Sequence, residues 1–198
     1  MTVEYLVSEI NKGRQLIFDL DDTIYPEKEF LFRVYKKISK LSKKYDSYLI
    51  FNYLKKTFLD QGRKNLFNKL QKKFPQDKFT VENCLSIMRS YNCDKCIDPY
   101  RWFDIFLSKM KEDFILKIIT NGSPLQQQNK IKSIKIKWPK DLIEIIYASN
   151  YKPKPSISSF YQLKCVEKFI SPIYIGNSKV DAEFCKNLNI EFFNVKNL

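Results

Sequence analysis

The sequence predicts an α/β fold, a parallel sheet core interrupted by one all-helical block. Three observations predict it. The apolar run Leu16-Ile17-Phe18 breaks into acids at Asp19 and Asp21, as a buried strand does at its carboxyl end. Residues 27 to 95 then carry apolar positions at steps of three and four, with no strand signal. Further on, strand-like runs alternate with helix-like ones, the pattern of a parallel sheet. The core therefore takes 1–26 and 96–198, and the helical block 27–95 is an insertion beside the carboxyl edge of the sheet.

The elements follow in order. After Pro26 the residues Leu31, Val34, Ile38, Leu41, Tyr45 and Tyr48 form one apolar helical face. Leu49 to Leu59 reads as a second helix closed by Gly62; Leu66, Phe67, Leu70 and Phe74 precede Pro75 as a third; Val81, Cys84, Leu85 and Met88 make a fourth stripe. Asp98-Pro99 has the layout of a helix start, with the acid as cap and proline in the first turn, before Trp102, Phe103, Phe106, Leu107 and Met110. Strand runs are expected at 114–119, 142–148, 172–175 and 190–195, with helical patterns between them. A helix is also expected to open around Gln126 to Ile131.

Composition bounds the chemistry. A chain of 198 residues with 44% hydrophobic content supports a real core and one domain with an insertion. Histidine is absent, which removes every His-dependent triad, His-ligated metal and imidazole base. Catalysis must run on carboxylates, lysines and hydroxyls. Five cysteines without regular spacing are not a disulfide framework, and Cys93 and Cys96 form a CxxC with no second pair, so reduced thiols are expected. No apolar run reaches membrane-spanning length, and Met1 to Gln15 lacks the layout of a signal peptide, so the expected location is the cytoplasm.

The net charge of +13 has two readings. One is attraction to anions, either nucleic acid or phosphorylated metabolites. The other is a general abundance of Lys, Asn and Ile. Lys36, Lys37, Lys43 and Lys44 fall on polar helix faces where solvation accounts for them, so the second reading covers most of the charge. Steering of an anionic substrate is then a secondary effect.

The chemistry gathers at the strand ends. Asp19 and Asp21 emerge together into the crevice where open α/β sheets bind ligands. Adjacent carboxylates repel, and a shared proton or a hard cation such as Mg²⁺ relieves them. Thr120 ends the second strand with a hydroxyl, and the amides after it, loosened by Gly122, open a helix suited to an anion. Tyr151-Lys152-Pro153-Lys154-Pro155 holds lysines between prolines after the third strand, a source of positive charge for a phosphoryl group. Gly176-Asn177-Ser178-Lys179-Val180-Asp181 follows the fourth with an amide oxygen and a carboxylate. Each piece alone is also an ordinary turn or cap; their shared position after successive strands points to a phosphate site.

These residues resemble the haloacid dehalogenase-like hydrolase superfamily, in its phosphatase branch. Motif one, DxDxT, is Asp19, Asp21 and Thr23. Motif two is Thr120 in Thr120-Asn121-Gly122, and motif three is best matched by Lys154 before Pro155, with Lys152-Pro153 as its rival. Motif four is Gly176-Asn177 through Asp181. The resemblance runs from residue 15 to the end and implies a Rossmann-like parallel sheet with a helical cap between motifs one and two.

The resemblance also implies roles. Asp19 is the nucleophile that forms an aspartyl-phosphate, and Asp21 is the acid that protonates the leaving alcohol and then activates water. Thr120, Asn121 and Lys154 bind the substrate phosphate, and Mg²⁺ is held by Asp19, Asp21, Asn177 and Asp181. The dehalogenase branch lacks the second acid. Asn177 departs from the aspartate usual in motif four, which implies a weaker hold on the metal.

The implied partner is a small phosphorylated metabolite, a sugar or polyol phosphate ahead of a nucleoside monophosphate. Tyr25, Glu27 and Phe30, just after motif one, are candidates for substrate specificity. The alternative is a catalytically weakened fold serving as a basic anion- or nucleic-acid-binding module. Its lysines are dispersed and lack interleaved aromatics, which makes nucleic acid the less expected partner. Phosphoryl transfer to another acceptor would use the same residues.

Overall fold

The computed structural model of the protein describes residues 2–75, 77, 79–168 and 170–197. The chain divides into two compact units, 1–26 with 94–198, and 27–93.

The first unit is built on a parallel sheet of five strands: β1 (Arg14–Phe18), β2 (Leu116–Thr120), β3 (Ile143–Tyr147), β4 (Ile170–Gly176) and β5 (Glu191–Asn194), in the order β3-β2-β1-β4-β5. All pairs are parallel. β1 is therefore central, and its last three residues are buried, as expected of a strand covered on both faces. Its helices are α1 (Val3–Asn11), α6 (Arg101–Ser108), α7 (Pro124–Ser133) and α8 (Lys179–Leu188).

Two apolar layers hold the sheet. On one side Phe18 meets Phe103 edge-on at 5.8 Å and Phe106 at 5.4 Å, a packing that adds to simple burial. On the other, Ile17, Ile119, Tyr174 and Phe184 pack with Ala148 and Leu163. Alternation along each strand sorts the residues to these faces, so the two-residue period of the sequence is what builds both layers.

The second unit is helical: α2 (Glu27–Ser39), α3 (Ser47–Gln61), α4 (Leu66–Lys73) and α5 (Val81–Ser90). Its core takes Phe30, Leu31, Val34, Ile38, Ile50, Leu54 and Leu70, all fully buried and spaced at helical steps. Asp46 caps α3 by accepting from the Tyr48 amide at 2.9 Å, and Gly62 ends it at φ 68°, the left-handed region where glycine costs least.

Several expectations need correction. The apolar face beginning at Leu31 does not run on to Tyr48: α2 stops at Ser39, Ser42 turns the chain by donating to the Tyr45 carbonyl, and Leu41 and Tyr48 are exposed. Asp98 is not the cap of α6, which starts at Arg101 with Tyr100 as cap, because the Tyr100 amide is drawn to the Ile24 carbonyl at 2.8 Å. Between β3 and β4 the chain makes short 3-10 turns at 157–162 and 166–168 in place of an α-helix. Helix α1 was not foreseen. Reduced thiols hold for Cys84, Cys165 and Cys185, but Cys93 and Cys96, brought together by the tight loop after α5, are disulfide-bonded.

Candidate active site

Asp19 follows the last residue of β1, and its amide donates to the Ile175 carbonyl of β4 at 2.8 Å. That bond carries the ladder one residue past the strand and aims the side chain out of the carboxyl edge. The next turns bring four segments to the same place, each from the end of a different strand.

Lys154 is the centre of the first cluster. Its buried ammonium donates to Asp19 Oδ1 at 2.7 Å, Asp181 Oδ1 at 2.6 Å and the Tyr174 hydroxyl at 2.6 Å. Lys152 is exposed, so of the two lysines only Lys154 enters the site. The Tyr174 hydroxyl in turn donates to the Ile119 carbonyl at 2.9 Å. Burial works against the charge on Lys154, but Asp19 and Asp181 outweigh it and hold its pKa above the usual lysine value.

Asp19 sits in the opposite balance. Burial raises its pKa, Lys154 lowers it, and the charges of Asp181 and Asp21 raise it again, leaving it at about 6. The carboxylate is thus under-compensated, which is the state a cation or an electrophile would relieve.

Asp21 has its own shell. The Tyr25 hydroxyl donates to Oδ1 at 2.7 Å, while Lys130 reaches Oδ2 at 2.6 Å and Gln127 Nε2 at 3.2 Å. Burial raises its pKa, yet Lys130, Tyr25 and Gln127 together hold it below the usual carboxylate value. Lys130 and Gln127 lie three apart on α7 and so share its inner face. Sequence reasoning missed both. The signal was there in their spacing after Thr120, within a helix otherwise poor in apolar residues.

The loop from β2 to α7 is fixed from inside. The Thr120 hydroxyl accepts from Gln127 Nε2 at 3.0 Å and donates to the Asn121 carbonyl at 3.2 Å. The Asn121 side chain clasps the Lys154 backbone, donating to its carbonyl at 3.1 Å and accepting from its amide at 2.9 Å. Asn121 therefore ties two loops together, which leaves its backbone amide and the second Nδ2 hydrogen to meet an anion. Gly122, at φ 107°, makes the turn, and a Cβ there would come within 2.8 Å of Gln127 Nε2. The hydroxyls of Ser123, at the start of α7, and of Thr23 are buried without a partner.

The last segment is a capping box. Asp181 Oδ2 accepts from the Ser178 amide at 3.1 Å and the Ser178 hydroxyl at 2.6 Å, and the Asp181 amide donates back to Ser178 Oγ at 3.2 Å. The Asn177 amide adds a third donor to Oδ2 at 3.3 Å. Asp181 is buried, and both its oxygens are engaged. Asn177 is half-buried beside it. Gly176 leaves room for this box, since a Cβ there would meet the Asp181 carboxylate at 2.8 Å.

The three specificity candidates lie in different surroundings. Tyr25 is fully buried and bonded to Asp21. Glu27 is buried in the helical unit, where Arg63 grips both its oxygens at 3.0 and 2.6 Å. Phe30 is in the core of that unit, edge-on to Tyr91 at 5.4 Å.

In this cluster the carboxylates of Asp19, Asp21 and Asp181 face the ammonium groups of Lys130 and Lys154. The acids outnumber the bases by one. Among the described residues, no group of three His, Cys, Asp or Glu side chains converges to hold a metal ion unaided. The remaining donors are hard oxygens: the free oxygen of Asp19, the backbone carbonyl of Asp21 and the Asn177 amide. Also among the described residues, no helix is long and apolar enough to cross a membrane.

Comparison with known proteins agrees with this arrangement. The sequence profile described as haloacid dehalogenase-like hydrolase matches residues 16–195. No match is found among curated protein sequences. Among solved structures, the putative HAD-hydrolase YfnB from Bacillus subtilis, described as bound to magnesium, superposes with a TM-score of 0.62 at 16% identity, over 90% of this chain and 85% of its own. The defluorinating L-2-haloacid dehalogenase Rha0230 gives 0.56 at 13%, over 90% and 79%. A putative phosphoglycolate phosphatase from Lactobacillus plantarum gives 0.50 at 15%, over 90% and 84%. At these identities the structures establish a shared fold, and the profile, which spans nearly the whole chain, establishes the family. With its acids and lysine gathered at the carboxyl edge of a five-stranded parallel sheet, the chain belongs to the haloacid dehalogenase-like hydrolases.

Proposed function

We propose that the protein hydrolyses a small phosphomonoester through a covalent intermediate on Asp19. The observation that carries this reading is the second acid, Asp21, held at the site by Tyr25, Lys130 and Gln127. A halide leaves without a proton, whereas an alkoxide needs one, so a positioned second acid supports ester cleavage.

In the first step Asp19 attacks phosphorus, the phosphorus–oxygen ester bond breaks, and the leaving oxygen takes a proton from Asp21. Asp21 must be protonated for this; the Lys130 ammonium at 2.6 Å favours its ionised form, and the negative charge of a bound phosphoester beside it favours the protonated one. In the second step the Asp21 carboxylate takes a proton from water, which attacks phosphorus and returns the Asp19 carboxylate with release of phosphate. Lys154 stabilises charge on the phosphoryl oxygens, helped by the amides at the start of α7 and by the Thr120 hydroxyl once its proton turns from the Asn121 carbonyl. The unpartnered Ser123 hydroxyl is a further donor at that helix start.

The excess of one carboxylate and the all-oxygen donor set fit Mg²⁺. Asp19, the Asp21 carbonyl and Asn177 would hold it, with Asp181 positioning Asn177 through its bond to that residue's amide. Such a cation supplies charge neutralisation at the transferring phosphoryl group.

We favour a sugar or polyol phosphate over a nucleoside monophosphate as substrate. The test is phosphate release from a panel of these esters with and without Mg²⁺, with Asp19→Asn as control. Release that depends on the metal and vanishes in the control supports the reading. Asn177 supports a second one, a weakened site that binds anions without turnover, and absence of release with phosphate still bound would favour it.

A further inference from the structure

Apart from the Asp19 cluster, the sheet unit holds a cavity of about 310 Å³, near the lower end of the range for small-molecule sites. It opens between α7 and β3. Ile143, Ile145 and Tyr147, alternate residues of β3, form one wall, and Ile131 and Trp138 form the other. β3 is an edge strand and all five of its residues are only half-buried, so this apolar face is incompletely covered.

The rim is charged, and mostly of one sign. Lys95, Lys132 and Lys140 stand around the opening with Asp94 as the lone acid. All three lysines are exposed, and among the described residues none of their ammonium groups is in an ion pair. An apolar trough ringed by unspent positive charge complements a molecule with an apolar body and one anionic head.

We propose that this cavity binds an aliphatic or aryl carboxylate, its body against β3 and Trp138 and its head on the lysine rim. The site is distinct from the one around Asp19. It touches α7 through Gln128, Ile131 and Lys132, while Gln127 and Lys130 of the same helix reach Asp21. The occupant thus leans on the outer face of the helix that positions the second acid. The proposal does not rest on the phosphatase reading, because binding can be read without any turnover.

Trp138 supplies the reporter, since the chain has only two tryptophans. In a Trp102→Phe background, Trp138 emission is titrated with decanoate, with decylamine as the probe of opposite charge, and repeated in a Lys132→Glu/Lys140→Glu variant. The expected result is a saturable change with a Kd below ~1 mM, weakened about tenfold by the double reversal, with no saturable change for decylamine. Both lysines are exposed, so the variant keeps its fold, checked by its melting temperature. Emission that does not saturate with decanoate overturns the proposal, as does equal binding of decylamine or binding untouched by the reversal.

Discussion

Lys130 Nζ lies 2.6 Å from Asp21 Oδ2, joining the inner face of α7 to the loop after β1. The ammonium is almost fully buried, and Gln127 from the same helix face reaches the same oxygen at 3.2 Å. A helix that begins at the loop after β2 therefore also orients Asp21.

Replacing Lys130 by Met should lower kcat by about 10- to 100-fold, because Asp21 loses the ion pair that orients it and that favours its return to the carboxylate form. Lys130→Arg should recover part of the loss. Steady-state kinetics beside a thermal melt separates this from simple unfolding.

Asp19 offers a test of pH linkage in protein stripped of metal by EDTA. Its folded pKa of about 6 lies above the ordinary aspartate value of 3.8, so the native state binds the extra proton between those values. Its contribution is favourable at low pH and is lost as pH rises through that window. Asp19→Asn should therefore melt higher than the natural protein at pH 8, by the equivalent of up to about 3 kcal/mol, with the advantage fading by pH 4. A constant difference across the range would contradict the burial argument.

Gly176→Ala should cost about 1–3 kcal/mol, because the new methyl would meet the Asp181 carboxylate at 2.8 Å inside a buried capping box. Activity should fall further than stability alone explains. Chemical denaturation and kinetics on the same sample check both.

The thiols should differ sharply in reactivity. Burial pushes Cys84 up to about 11 and Cys185 to about 12, the latter aided by Asp181, whereas Cys165 is exposed. The thiolate is the nucleophile, so iodoacetamide at pH 8 should label Cys165 in the native protein and reach the other two only on unfolding. Peptide mass mapping reads the outcome.

Much of the fold was legible because the sheet strands are short apolar runs with abrupt polar ends. Leu16-Ile17-Phe18 and Leu116 to Ile119 show this. The segment between β3 and β4 was not, since its apolar residues Phe160 and Leu163 pack on the sheet from 3-10 turns and mimic a helical step. The charged pairing was least legible. Lys130 looks like any lysine of a basic chain until α7 turns it inward, and the same holds for Lys117, buried against Glu144 at 3.1 Å. The side chain of Asn121, a candidate for phosphate, also clasps the backbone of Lys154, a contact across 33 residues that no local pattern encodes.

The most direct measurement is the pre-steady-state release of p-nitrophenol from p-nitrophenyl phosphate with Mg²⁺ by the natural protein, Asp21→Asn and Asp19→Asn. This leaving group departs without a proton, so Asp21→Asn should give a burst of about one equivalent per site and then stall as the intermediate on Asp19 waits for a base. Asp19→Asn should give none. A burst that survives in Asp19→Asn, or turnover of L-2-haloacids with no release from any phosphate ester, would contradict the account.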